Sequence, residues 1–255
     1  MPHPNRTINK LDNSEICGSV RMYNRWHLFK NKAILTTIIL LFSAIGLKAE
    51  YRPLDLYEMI LGAEKIVYGE IIEMDSLRFK LKVERNLTGE EAELVIKRFE
   101  NWPCAHRWTD YRIGQRLFLF LKNNNGQLHS MSGGNEGELP ILNGYVYING
   151  FSLDPPPPTN PKAQSNKISK RDFIDSKKHK VFGSDYFGHK TDLEAFTSIV
   201  TRIRNCFEIK YGKYHQIENA IIKCDEKELK KEIENNKILN WTYKKLKEKA
   251  DANNG

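Results

Sequence analysis

Arg116-Leu117-Phe118-Leu119-Phe120-Leu121 is the stretch whose reading decides the fold. It is entered through Gly114-Gln115 and is the most continuous apolar run after the N-terminal segment. A run this short covers less than about two helical turns. Its aromatic content and lack of polar alternation predict a fully buried central strand. The segments around it supply partners. Lys65–Met74 reads as a strand with a bulge or bend at Gly69. Asp75-Ser76 turns the chain into Arg78–Asn86, where Phe79, Leu81 and Val83 face inward and Lys80, Lys82 and Glu84 outward. Thr88-Gly89 leads to a third strand over Glu93–Arg98. Asn123-Asn124-Asn125-Gly126 is a hairpin signal, with Gln127–Ser132 pairing back. Short strands follow near Leu139–Leu142 and Tyr145–Ile148, punctuated by Asn143-Gly144 and Asn149-Gly150. Many short strands with little helix among them predict a mainly β chain, an antiparallel barrel or sandwich over residues 50–150.

Helices are expected at both ends of that barrel. Leu54, Tyr57, Ile60 and Leu61 fall at helical spacing behind Pro53, and Gly62 ends the segment. Residues 151–190 change character: Pro155–Pro158 is a stiff run, and the remainder is rich in Lys, Ser and Asn. The expectation there is an irregular excursion, pinned at its end by Phe182, Tyr186 and Phe187. Thr191-Asp192-Leu193-Glu194 has capping-box form and opens a helix striped by Leu193, Phe196, Ile199, Val200 and Ile203. That helix is expected to close the core from 191–223. The tail, 224–255, holds eight Lys against seven Asp/Glu in residues 225–251. Leu229, Ile233, Leu239, Tyr243 and Leu246 give it only a thin stripe, so solvated helices are expected.

The ends of the chain also carry information on location. Residues 33–47, AILTTIILLFSAIGL, are uncharged and follow Arg25, Lys30 and Lys32. With Leu47-Lys48-Ala49 behind them, this is the plan of a secretory signal peptide over about 22–49. An uncleaved membrane anchor is the competing reading, although a comfortable span needs about 20 residues. Met22 is a second candidate start, which would exclude Cys17. The formal charge of the whole chain is +8. Seven Lys/Arg and two Asp/Glu lie in residues 1–49, so residues 50–255 carry 33 − 30 = +3. That near-balance disfavours nucleic acid as a partner. Of the cysteines Cys17, Cys104, Cys206 and Cys224, no two form a CxxC pair, so no structural zinc site of the usual spacing is implied. Cys206 with Cys224 is the preferred disulfide, leaving Cys104 free; pairing of Cys104 with either is the alternative.

One group of families shows a similar pattern. Ile66-Val67-Tyr68-Gly69-Glu70-Ile71 behind a short helix resembles the opening of the netrin module and the tissue inhibitors of metalloproteinases. So do Phe79–Val83 with Leu87-Thr88-Gly89, then Cys104, then Gly114–Leu121 and Ser132-Gly133-Gly134. The resemblance covers about residues 50–150 and implies a five-stranded OB-like barrel. Two features depart from it. The inhibitors chelate a protease zinc through an N-terminal cysteine, and the chain near Glu50-Tyr51 has none. In that group a cysteine near position 104 bonds to one just after the fifth strand, and Gly133-Gly134-Asn135 offers none. Inhibition by the zinc-chelating route is therefore not expected.

Two loops gather the chemistry. Residues 101–112 hold Trp102, Cys104, His106, Arg107, Trp108 and Tyr111, and residues 133–138 hold Asn135, Glu136 and Glu138 between glycines. Aromatic and Arg groups on a loop of a rigid barrel make a common binding face. If both loops leave one end of the barrel, Arg107 meets Glu136 or Glu138. The simpler outcome is a salt-bridged, aromatic-lidded barrel end. Cys104 with His106, or Glu136 with Glu138, would be catalytic pairs only against the tendency of residues two apart to point apart. No motif implies a metal or cofactor. The sequence thus predicts an exported, non-catalytic binding module for a protein or cell-envelope component, with a hydrolase using Glu136 or Glu138 as the alternative.

Overall fold

A computed structural model describes residues 53–103, 105–132, 136–153, 174, 176–211 and 217–252. The candidate signal segment, Cys17, Cys104, Asn135 and the four-proline run lie outside the described residues. Residues 53–101 and 105–252 belong to one compact unit, and Trp102 and Pro103 fall outside it.

Five strands close into a barrel: β1 (Lys65–Met74), β2 (Arg78–Asn86), β3 (Glu93–Lys97), β4 (Arg116–Asn124) and β5 (Gln127–Ser130). Their order is β1-β2-β3-β5-β4, and β4 returns to pair with β1. All pairings are antiparallel except β3 with β5, where Ile96 lies opposite Leu128 in parallel register. This corrects the expectation of a wholly antiparallel barrel. Strands that run alternately up and down cannot all be antiparallel around a ring of odd number, so one neighbouring pair must run together. The bulge expected at Gly69 is present as a register shift between Tyr68 and Gly69. A Cβ at Gly69 would stand 2.0 Å from the Lys82 carbonyl oxygen, so the strands approach there as only glycine permits.

The sheet does not stop at the barrel. The N-terminal half of β4 also pairs with β6 (Glu138–Leu142), which leads to β7 (Tyr145–Asn149), β9 (Ser184–Asp192) and β8 (Lys177–Val181) in that spatial order. Residues 177–192 are therefore a hairpin that extends the sheet, not an irregular excursion. Its turn is Phe182-Gly183, both at positive φ, as are Asn125-Gly126 and Asn143-Gly144 at two other hairpins. Tyr186 is buried and Phe182 half-buried, but Phe187 is exposed, so only the first two pin this arm.

β4 explains its own composition. Leu117, Leu119 and Leu121 point into the barrel core with Val67, Ile71, Phe79, Leu81, Leu94 and Ile96. Phe118 and Phe120 point the other way, into a second core shared with Ile66, Tyr68, Leu139, Val146 and Ile148. Each fully buried Leu or Phe contributes about 1.5–3 kcal/mol.

Helices cover the second core. α1 (Leu56–Gly62) begins at Asp55, whose backbone N–H donates to Glu58 Oε2 at 2.8 Å, so the helix starts behind Pro53 and Leu54. α2 (Leu193–Cys206) buries Leu193, Phe196, Ile199, Val200 and Ile203, the expected stripe. Its cap is Asp192, which accepts from the Ala195 N–H at 2.9 Å; Thr191 still belongs to β9 and cannot take that place. Arg204 of α2 donates to the carbonyls of Ile60 and Ala63 at 2.9 and 3.0 Å, satisfying acceptors that the end of α1 leaves open.

The C-terminal region departs from expectation. Beyond α2 the chain forms a hairpin, β10 (Phe207–Tyr211) with β11 (Ile217–Ile222), then α3 (Glu226–Asn235) and α4 (Lys237–Ala252). Cys206 and Cys224 are joined at the base of this hairpin, with Cα atoms 4.8 Å apart. The charged tail is not loosely solvated. Leu229, Ile233, Ile238, Leu239, Trp241, Tyr243 and Leu246 are all buried in the second core. The Trp241 ring meets Tyr57 of α1 at 5.8 Å.

Candidate functional site

Glu138 is the centre of the candidate site. It is the first residue of β6 and lies opposite Leu119 of β4, so its side chain shares the face of the barrel core. At this point β5 and β6 divide the edge of β4 between them. Between them Phe120 donates its N–H to the Gly137 carbonyl at 3.0 Å and accepts from the Met131 N–H at 2.8 Å, and Glu138 sits at this branch. Glu138 is fully buried. Its Oε1 accepts from the Tyr111 hydroxyl at 2.6 Å and from Ser130 Oγ at 3.1 Å. Its Oε2 accepts from Arg107 Nε at 2.8 Å.

Arg107 is supplied by the loop between β3 and β4, and its side chain is only 3% exposed. Nη1 donates to the Thr109 carbonyl at 2.6 Å and Nη2 to Gln115 Oε1 at 3.3 Å. Gln115 in turn donates to the Asp110 carbonyl at 2.8 Å. The guanidinium carbon lies 3.7 Å from the Tyr111 ring centroid and 4.3 Å from that of Trp108. A desolvated cation over an aromatic face is worth about 2 kcal/mol, here on two rings. The loop folds back because the Arg107 N–H donates to Asn101 Oδ1 at 2.7 Å and Tyr111 accepts the Phe99 N–H at 2.8 Å. Trp108 donates its indole N–H to the Glu138 carbonyl at 3.3 Å and stacks on Phe182 at 5.9 Å. The β3–β4 loop thus bridges the barrel end and the β8–β9 arm.

Burial, with the Glu138 charge second, pushes the Tyr111 phenol well above its ordinary pKa. Burial also pushes up Tyr186, and the charge of Glu136 adds to that.

Of the residues read as a face, Arg107, Trp108, Tyr111 and Glu138 come together, but they turn inward. Glu136 is buried separately and accepts from Ser132 Oγ at 2.6 Å, so the two glutamates bond to different partners. His106 and Trp102 are exposed. Between Glu136 and Glu138, Gly137 is required by space: a Cβ there would stand 2.6 Å from the Met131 carbonyl oxygen. Sequence reasoning missed Ser130, Gln115 and Asn101. The only available signal for Gln115 was its position, a polar residue at the mouth of the apolar run.

Chemically, the cluster is closed. Both Glu138 oxygens are occupied by donors, and its charge is neutralised by a guanidinium held between two rings. Such a carboxylate has no path to a substrate proton without local opening. Among the described residues, no group of three His, Cys, Asp or Glu is placed to hold a metal ion. The exposed residues near this end are different in kind: His106 and Asp110 on the loop, and Ile113, 64% exposed, before β4. No known protein family, curated protein or solved structure matches the chain.

Proposed function

We propose that this chain is an exported, non-catalytic binding module for a protein or cell-envelope component, and that the β3–β4 loop is its contact face. The observation that carries the reading is the closed Arg107–Glu138 network. It spends Arg107, Tyr111 and Glu138 on internal bonds, and His106, Asp110 and Ile113 stand exposed on the same loop. A preorganised loop loses less conformational freedom on binding than a mobile one. The disulfide between Cys206 and Cys224 supports an oxidising compartment, in keeping with a signal peptide at 22–49. No helix among the described residues is long and apolar enough to cross a membrane. Kinship with the netrin-module group is part of the proposal; the closed five-stranded barrel is compatible with it. The inhibitors' zinc-chelating mechanism is not part of the proposal.

The test is a fluorescent label at Ile113→Cys, titrated with envelope fractions and with purified glycan-strand fragments. A control label at Lys230→Cys on α3 reports non-specific effects. The reading predicts a saturable change at 113 and none at 230. It is contradicted if no fraction moves the 113 label, or if an exported-hydrolase substrate panel shows turnover that Glu138→Gln or Glu136→Gln removes.

A further inference from the structure

The β8–β9 arm has no part in the network above beyond Trp108, and its lysines gather on β8. Residues 177–192 hold four Lys against two Asp, a net of +2, and three of the four Lys lie on β8. β8 is the last strand of the extended sheet, with β9 on one edge; among the described residues no strand pairs with its other edge. Val181 and Ser184 close a two-residue hairpin. In such a hairpin the closing pair is hydrogen-bonded, so Val181, His179 and Lys177 direct their backbone groups at β9. The backbone N–H and C=O of Lys178 and Lys180 then point out from the open edge. Lys177, Lys178 and Lys180 are all exposed. Among the described residues Lys180 forms an exposed ion pair with Asp185 of the arm at 2.7 Å, and Lys178 acts on the same carboxylate at longer range. Lys178 lies opposite Phe187, which is 49% exposed.

We infer that the outer edge of β8 is a docking site for an extended acidic peptide segment of a partner protein, which adds to the sheet as a further strand. Main-chain bonds to Lys178 and Lys180 supply the pairing, and the side chains of these two lysines, two apart and so on one face of the strand, select alternating carboxylates. Phe187 offers an apolar contact to the side chain that follows Lys178. A second copy of this chain is a poor occupant, because pairing β8 with itself sets lysine against lysine. The inference concerns a different face from the β3–β4 loop and stands whether or not that loop binds anything.

The experiment uses the full chain and a fluorescein-labelled eight-residue peptide of alternating Glu and Thr, followed by anisotropy. Three comparisons accompany it: the same peptide N-methylated at alternate residues, a peptide of alternating Lys and Thr, and the variant Lys178→Glu/Lys180→Glu. Both substituted positions are exposed, and circular dichroism confirms that the variant folds. The expected result is saturable binding of the acidic peptide, weakened at least about tenfold by N-methylation and by the charge reversal. Equal binding of the N-methylated peptide would mean a plain anion surface and overturn the inference. So would equal binding of the Lys peptide, or concentration-dependent dimerisation of the chain that blocks the peptide. No binding at all would leave the lysines as guards against edge-to-edge aggregation, and overturn it too.

Discussion

Tyr111 shows how tightly single atoms are committed at the barrel end. Its hydroxyl donates to Glu138 and accepts from Phe99, and its ring carries the Arg107 guanidinium. Tyr111→Phe leaves a buried carboxylate oxygen with one donor fewer and the half-buried Phe99 amide without its acceptor. The expected loss is about 1–3 kcal/mol in denaturant unfolding. The same residue predicts an alkaline limit. Its phenol is raised above the ordinary value of 10.0, so the native state keeps a proton that the unfolded chain releases. The stability this contributes is fully present below pH 10 and is lost as pH rises toward the folded value. The slope is about 1.4 kcal/mol per pH unit for each such tyrosine. Tyr186 is raised in the same direction and adds a second equal slope. Unfolding between pH 10 and 12 should therefore be markedly less steep in pH for Tyr111→Phe than for the parent chain. An unchanged slope would mean that the phenol is not shielded.

At the scale of elements, the strands with clean alternation or a strong turn were legible and the rest were not. β2 follows from two-residue periodicity behind the Asp75-Ser76 turn, and β4 from its unbroken apolar run and the Asn-Gly turn that ends it. β8 and β9 do not, because an edge strand rich in lysine reads as a solvated loop, and the turn Phe182-Gly183 lacks the usual Asn. The helical tail was misread because Ile238 and Trp241 lie beside the thin stripe and widen it into a buried face. The parallel β3–β5 pairing is non-local and leaves no mark in either strand. The pairing of Cys206 with Cys224 could be read because the two positions close a short segment beyond the last clear helix. Two tests belong here. Gly69→Ala must push a Cβ into the Lys82 carbonyl at the bulge and should cost about 1–3 kcal/mol. Replacing Cys206 and Cys224 by Ser opens a loop of sequence separation 18. The expected cost is about 3 kcal/mol. Hydrogen exchange should speed first in β10, β11 and α3, which the bond anchors. Uniform exchange through the barrel would argue against that placement.

For the whole molecule, one sheet serves two cores. β4 lines the barrel with leucines and feeds the helix-covered core with phenylalanines, and the branch between β5 and β6 is where the Arg107–Glu138 pair sits. The meeting of Arg107 with an acidic residue of the 133–138 loop was anticipated from the sequence. A salt-bridged, aromatic-lidded barrel end was one of two readings of that meeting, and charge and aromatic content alone could not decide between it and an outward face. Removing one member of a buried ion pair costs about 3–5 kcal/mol, since the other charge is stranded. The measurement that tests the account most directly is a denaturant-unfolding cycle with Arg107→Ala, Glu138→Ala and Glu136→Ala, singly and in pairs. The account predicts large single losses at 107 and 138, with the double variant less destabilised than their sum by about 1–3 kcal/mol. It predicts that 107 and 136 add to within about 0.5 kcal/mol. Near-native stability at 107 or 138, a gain on removal, or strict additivity between them would contradict it. Those charges would then be held at the barrel end for something other than the fold.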